Sequence, residues 1–440
     1  MNENLKHFFT FSVRFPEADN CNVFYLGAVN LGKNYTEIKS RVFLNVQNRL
    51  VRVTGLSDDE VLRIIEEEIV ANPEARSLPR NKLMLMRHDL FNRIRGLDIL
   101  QDFLDDDTVT EIMVNGTDEI FVERGGLIYA TGKRFESRER LFDVIGQIAS
   151  NVNRVINLSF PIMDSRLDDG SRVNAVLDPV AINGPSLTIR RFPNTPVDAG
   201  MLIKFGSVSD EVLNFLSNLV RAGYNILISG GTGSGKTTFL NVLSGYIPKD
   251  ERIITIEDSA ELRIAGIKNL VRLEARKSTP DGTGEISIRD LIKTALRMRP
   301  DRIVVGEVRG EEAIDMLQAF NVGQDGSLST IHANSAVDAL SRLETMIMLS
   351  SNISPEALRR QIASGVDIVI SLGRLRDKSR KLLEIIEVMG VEDKEIKTNT
   401  LFRFVEKEER CGKIVGDIVK VNNLSNTYKL IKAGITYELR

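Results

Sequence analysis

The sequence predicts an α/β protein in which a mainly parallel sheet, with helices on both faces, follows a smaller α+β domain. Three observations carry this. From about residue 208, apolar strands (225–229, 252–256, 302–306, 327–331) alternate with helical segments (236–245, 288–298, 311–321). Alternation of this kind argues for a parallel sheet covered on both sides. Upstream, Ile112 to Val114 and Ile120 to Val122 flank Asn115-Gly116, the signature of a hairpin. Between the two, Pro193, Pro196, Gly200 and Gly206 mark a linker region.

The 440 residues fit two or three domains at roughly 100–200 residues each. We divide them into an accessory or docking region (1–80), an α+β domain (81–200) and an α/β domain with a β-rich C-terminal appendage (201–440). In the first, Ser57 with Glu60 forms a capping box, and Val61, Leu62, Ile64, Ile65 and Ile69 recur at helical spacing. In the second, a helix is expected over Lys82–Phe103, then the hairpin, a third strand at Leu127 to Tyr129 after Gly125-Gly126, a helix over 137–156, and strands near 172–176 and 186–192. After 366 the third region turns to short strands and charged turns, a β appendage or a sheet edge.

A net charge of -3 gives no charge-based case for nucleic-acid binding. Two cysteines, Cys21 and Cys411, cannot build a disulfide framework, and a reducing cytosol is the simplest setting. No apolar run approaches the roughly 18 residues of a membrane span, and Met1 to Phe15 lacks the order of a secretory signal. Membrane association is therefore expected through partners or a surface patch.

The chemistry is concentrated at Gly230-Gly231-Thr232-Gly233-Ser234-Gly235-Lys236-Thr237-Thr238, which contains G-x-x-x-x-G-K-T. Glycines let successive N–H groups curl inward onto phosphate oxygens. Lys236 supplies a positive charge to the β- and γ-phosphates, and the Thr237 hydroxyl is suited to Mg²⁺. The helix that follows points its positive end at the same anions. The apolar strand before the loop and the apolar-faced helix after it supply the context that a chance glycine-rich turn lacks. ATP and Mg²⁺ are the expected ligands.

Two further strands end in acids: Ile253 to Ile256 runs into Glu257-Asp258, and Ile303 to Val305 into Gly306-Glu307. In parallel sheets ligands sit at the carboxyl ends of strands, so Lys236, Glu257 and Glu307 should meet at one crevice. Phosphoryl transfer needs a positioned water and a metal-holding carboxylate. Glu257 is the candidate to orient or deprotonate water and Glu307 the candidate to hold Mg²⁺, directly or through water; the residues alone leave the roles exchangeable. The plainer alternative for each is an N-capping or solvated acid. His332, at another strand end, is a candidate γ-phosphate sensor or subunit link; the alternative is a packed or capping histidine.

Taken in order, these segments resemble the secretion-type traffic ATPases of type II and type IV secretion and pilus assembly, with most likeness to the CpaF-like branch of tight-adherence (Flp-type) pilus assembly. The likeness rests on GGTGSGKTT, TIEDSAEL (255–262), RPDRIVVGEVRG (299–310), GQDGSLSTIHAN (323–334), SRLETM (341–346) and QIASGVDIVI (361–370). In the preceding domain it rests on EIMVNG (111–116), RLDDGSRVNA (166–175) and PSLTIRRF (185–192). It spans roughly 85–390. The segment 323–334, which matches the family's His box, opens Gly323-Gln324 where relatives usually carry a histidine, which leaves His332 as the box histidine.

The resemblance implies a RecA-like P-loop NTPase domain and a homo-oligomeric ring, usually a hexamer, with ATP between the two domains. Arginines of the first domain would reach the phosphates, and Arg190 and Arg191 fit by position; sheet-edge ion pairing is their alternative. Arg272, Arg276 and Arg309 are subunit-junction candidates or structural residues. Also implied are inner-membrane platform proteins of a pilus or secretion system as partners, and a place in the cytoplasm at the inner face of the membrane. No direct nucleic-acid contact is expected. Two other classes compete: a nucleic-acid motor, disfavoured by the charge and by 6% aromatics, and an ATP-gated structural protein, disfavoured by the two intact acids.

Overall fold

The computed structural model describes residues 33–51, 55–152, 154–167, 169–192, 197–276 and 283–436. Met1 to Phe15, Cys21, Pro193 and Pro196 lie outside them. The chain divides into two compact units, Met1–Asn194 and Thr195–Arg440.

Among the described residues, the first unit begins with helices α1 (Lys33–Leu50), α2 (Asp58–Ala71), α3 (Pro73–Arg76) and α4 (Arg80–Ile94). They share a core of their own built on Ile38, Val42, Ile65, Met86 and Leu90. The expected capping box starts α2: Ser57 accepts from the Glu60 N–H, and the Glu60 carboxylate accepts from the Ser57 N–H at 2.8 Å. The helix expected over 82–103 is not continuous. α4 stops at Ile94, and the short α5 (Gln101–Leu104) resumes after Asp98, which adopts φ 56°. A left-handed residue cannot stay in a right-handed helix, and apolar periodicity does not register it.

An antiparallel sheet follows, from β1 (Val109–Asn115), β2 (Glu119–Arg124), β3 (Leu127–Ala130), β4 (Ile162–Arg166), β5 (Arg172–Val176) and β6 (Ser186–Arg190), in the order β3-β2-β1-β6-β5-β4. The hairpin turns at Gly116 (φ 67°), where an added Cβ would stand 2.7 Å from the Asn183 carbonyl. Helix α6 (Arg138–Asn151), shorter than the expected 137–156, buries Leu141, Val144, Ile145 and Ile148 in the same core as Ile112, Val114 and Ile189. β4 went unforeseen, because its sequence IMDSR buries only Met163.

The second unit contains α7 (Ala199–Lys204), α8 (Asp210–Arg221), β7 (Ile226–Gly230), α9 (Lys236–Ser244), β8 (Ile253–Glu257), β9 (Leu270–Glu274), α10 (Ile288–Ala295), β10 (Arg302–Val308), α11 (Glu312–Asn321), β11 (Leu328–Ile331), α12 (Ala336–Ser350), α13 (Pro355–Gly365), β12 (Ile368–Arg374), β13 (Arg380–Glu392), β14 (Glu395–Arg410), β15 (Lys413–Lys420) and α14 (Tyr428–Lys432). Among the described residues they build a sheet in the order β15-β14-β13-β12-β7-β11-β10-β8-β9. β12, β7, β11, β10, β8 and β9 are parallel. Separate apolar cores fill its two faces, with Leu216, Leu240 and Ile228 in one and Ile256, Val305 and Leu343 in the other. β7 is buried along its whole length, which explains its unbroken apolar run.

The segment after 366 is a sheet edge rather than a separate appendage. β13, β14 and β15 are long strands that extend the same sheet by antiparallel pairing. Their alternation of charged and apolar residues reads as short strands because one face is wet. Among the described residues no helix is long and apolar enough to cross a membrane.

Candidate nucleotide site

The glycine-rich turn leaves β7 at Gly230 and enters α9 at Lys236. Gly233 and Gly235 adopt φ values of 71° and 97°, the left-handed backbone that turns consecutive N–H groups to one side. No side chain caps α9. The first N–H groups of a helix have no partner within it, so this end is suited to an anion. Lys236 is buried (8% exposed), with Nζ donating to the carbonyls of Gly230 (3.0 Å) and Gly231 (3.2 Å). Ser234 Oγ donates to the Gly231 carbonyl at 2.9 Å, and Thr237 and Thr238 occupy the half-buried start of α9.

Parallel β8 and β10 bring the two acids to the same edge of the sheet. Glu257 is 3% exposed. Its Oε1 accepts from the N–H groups of Glu261 (2.7 Å) and Leu262 (2.9 Å), while Oε2 is buried with no hydrogen-bond partner. Burial pushes this carboxyl up to about 7, against the two backbone hydrogen bonds that lower it. Gly306 makes the fit possible, since a Cβ there would lie 3.0 Å from Glu257 Cγ.

Glu307 Oε1 lies 3.9 Å from Lys236 Nζ and 3.4 Å from His332 Nε2, buried and without a hydrogen bond of its own. Its Oε2 accepts from Arg309 Nε (2.9 Å) and Nη2 (2.6 Å). Burial, then the Lys236 charge, holds His332 below the ordinary imidazole range, so it is neutral at pH 7. The structure thus gathers Lys236, Glu307 and His332, with Glu257 beside them across Gly306.

Arg190 and Arg191 belong to the first unit. Arg190 is exposed at the end of β6, opposite Glu111 on β1 and Arg172 on β5. Arg191 is engaged locally: its guanidinium donates to the carbonyls of Asp106 and Val109 (3.1 Å) and to the Asp107 carboxylate at 3.4 Å. Reaching a phosphate would require it to leave those contacts. Arg276 donates to the Gly284 carbonyl at 2.6 Å, and Arg272 is exposed on edge strand β9.

Two arginines were not legible in the sequence. Arg374 ends β12 and Arg380 begins β13. Arg380 Nε donates to the Gly233 carbonyl (2.8 Å), and Arg374 Nη1 comes within 3.9 Å of a Cβ built on Gly233. Beside the loop is a cavity of about 90 Å³ lined by Leu202, Phe205, Thr238, Phe239, Arg380 and Leu382. Arg380 is separated from Gly233 by 147 positions. Only the pairing of β12 with β7 brings them together.

Among the described residues no cluster of three or more His, Cys, Asp and Glu could hold a metal unaided. Mg²⁺ is commonly bound by one or two carboxylates together with substrate phosphates. Oε1 of Glu307, which accepts no hydrogen bond, is a fitting protein ligand for it.

A family described as "Type II/IV secretion system protein" matches residues 94–416. The chain belongs to this family. Conjugal transfer protein TrbB of Rhizobium radiobacter is 33% identical over 300 residues, covering 67% of this chain and 88% of that protein. Type IV secretion system protein PtlH of Bordetella pertussis is 36% identical over 307 residues, covering 63% and 89%. The X-ray structure of the Yersinia pseudotuberculosis ATPase DotB overlays with a TM-score of 0.50 at 17% identity, covering 67% of this chain and 79% of that one. At that identity the likeness concerns the fold alone, a RecA-like α/β architecture. Helices α1 to α3, and α4 up to its last residue, precede the family match.

Proposed function

We propose that the chain is an oligomeric ATPase that hydrolyses ATP to ADP and phosphate to power pilus assembly or protein secretion across the cell envelope. The observation that carries this is a buried glutamate, Glu257, with a raised pKa and one partnerless oxygen, beside the phosphate-type loop and the Lys236–Glu307–His332 cluster. In this reading the backbone from Gly230 to Thr238 cradles the phosphates and Lys236 neutralises the β- and γ-oxygens. Thr237 and Glu307 hold Mg²⁺, which supplies charge neutralisation on the phosphates when bound. Glu257 orients the attacking water and takes its proton. Neutral His332 donates a hydrogen bond near the γ-position, and Arg190 and Arg191 add charge from the first unit.

The finer assignments follow from the same reading. The active form is a ring, with six copies the expected number, docked on inner-membrane platform proteins from the cytoplasmic side. Residues 1–80 are a docking region, and the tight-adherence branch is the favoured pathway. Concentration-dependent turnover tests the ring: a strictly monomeric protein with full activity contradicts it.

The hydrolysis itself is tested by phosphate release with ATP and Mg²⁺, which should disappear in Glu307→Gln protein. The pH profile is more specific. A base works only when deprotonated, and a carboxyl titrating at about 7 is mostly protonated below that pH. Turnover should therefore climb about tenfold per unit as pH rises towards 7 and level off above it. Glu257→Gln protein should keep only a residual rate, flat with pH. A wild-type profile already flat between pH 5 and 7, on the order of two units, would remove Glu257 from the base role.

A further inference from the structure

We propose that Arg309 is a resident counter-cation that competes with the metal for Glu307 and so sets the Mg²⁺ requirement for nucleotide binding. The inference rests on the nucleotide reading above and assigns Arg309 a regulatory contact in place of a junction role. Nε and Nη2 of Arg309 both donate to Oε2 of Glu307, at 2.9 and 2.6 Å. Nη1 lies 3.8 Å from Asp258 Oδ2, so the guanidinium bridges the ends of β10 and β8. The turn beneath it is fixed: the backbone N–H groups of Arg309 and Gly310 donate to the Glu312 carboxylate at 2.6 and 3.0 Å. The side chain above that turn is 58% exposed where that of Glu307 is 20% exposed, so solvent rather than packed neighbours surrounds most of it.

The two oxygens of Glu307 face different company. Oε1 looks inward to Lys236 and His332; Oε2 is covered by Arg309. A second cation on this carboxylate meets the Arg309 charge at close range, and like charges repel, less strongly where water screens them. Arg309 relieves that repulsion by leaving Oε2 and closing on Asp258, already within reach. Arg309 thus has two resting places, Glu307 and Asp258, and the choice between them is coupled to cation binding.

The test is a titration of free Mg²⁺ while following binding of a fluorescent ATP analogue, with no turnover required. Arg309→Gln should lower the half-saturating Mg²⁺ by about two- to fivefold, the range expected for a partly exposed ion pair. Arg309→Lys, which keeps the charge, should stay near wild type. Asp258→Asn, which removes the second resting place, should raise the requirement. If Arg309→Gln leaves the requirement unchanged or raises it, the competition is refuted; should that variant not fold, an unchanged Asp258→Asn titration refutes it instead. Wild-type protein that binds no analogue at any Mg²⁺ concentration sinks the nucleotide reading itself, a different result.

Discussion

Lys236→Ala protein is expected to lose phosphate release by a factor on the order of 10² to 10³, the usual effect of deleting one preorganised charge donor from a reacting centre. The side chain is 9% exposed, and its amine is held at the loop by the carbonyls of Gly230 and Gly231 while standing 3.9 Å from Glu307. A cation so placed is already desolvated and oriented, so it gives up little when a phosphate oxygen replaces a carbonyl. Alanine removes the charge and leaves Glu307 facing the loop without its nearest ammonium. Nucleotide affinity should fall too, by about tenfold or more, since binding shares the contact. Single-turnover phosphate release and analogue binding measure the two effects separately. A variant that retains more than about a tenth of wild-type turnover places the triphosphate somewhere other than this loop.

The largest expected effect on stability is at Asn225, one residue before β7. It is 2% exposed, and its side chain makes four hydrogen bonds to backbone groups. Nδ2 donates to the carbonyls of Phe320 (3.1 Å) and Gly365 (2.8 Å), and Oδ1 accepts from the N–H groups of Gly326 (2.9 Å) and Ser327 (3.0 Å). It thereby ties the ends of α11 and α13 and the approach to β11 to the central strand. Asn225→Ala leaves four buried backbone groups unpaired. At about 1–3 kcal/mol for each unmade bond, and with partial rescue by water, the loss should be on the order of 3–5 kcal/mol. That is a large share of the roughly 5–15 kcal/mol that holds a domain folded. Faster hydrogen exchange across β7 and β11, with β1 and β6 of the first unit unchanged, is the expected signature. An exchange rate in β7 within about fivefold of wild type contradicts the hub.

Asn225 also shows where sequence reading stops. The sequence reads it only as the first residue of the apolar strand 225–229. Its four partners lie 95 to 140 positions away, so no local pattern announces them. The capping box at Ser57 was legible because both partners lie within one helical turn. The break at Asp98 was not, because apolar spacing continues through it.

The same division runs through the candidate site. The order of residues alone determined that a glycine-rich turn joins a strand to a helix at Lys236, and that two apolar strands run into Glu257 and Glu307. Strand polarity, loop curvature and helix direction are properties of short segments. Only the tertiary structure decided that Glu257 is sealed against Gly306 and titrates near neutrality, that Arg309 covers one oxygen of Glu307, and that Arg380 reaches Gly233 from a strand at the far end of the sequence. Desolvation and strand adjacency depend on what surrounds a residue in space. Gly233 and Arg380, brought together across 147 positions, leave no periodic trace along the chain, and the Arg309–Glu307 contact, though only two positions apart, depends on side-chain directions at a strand end.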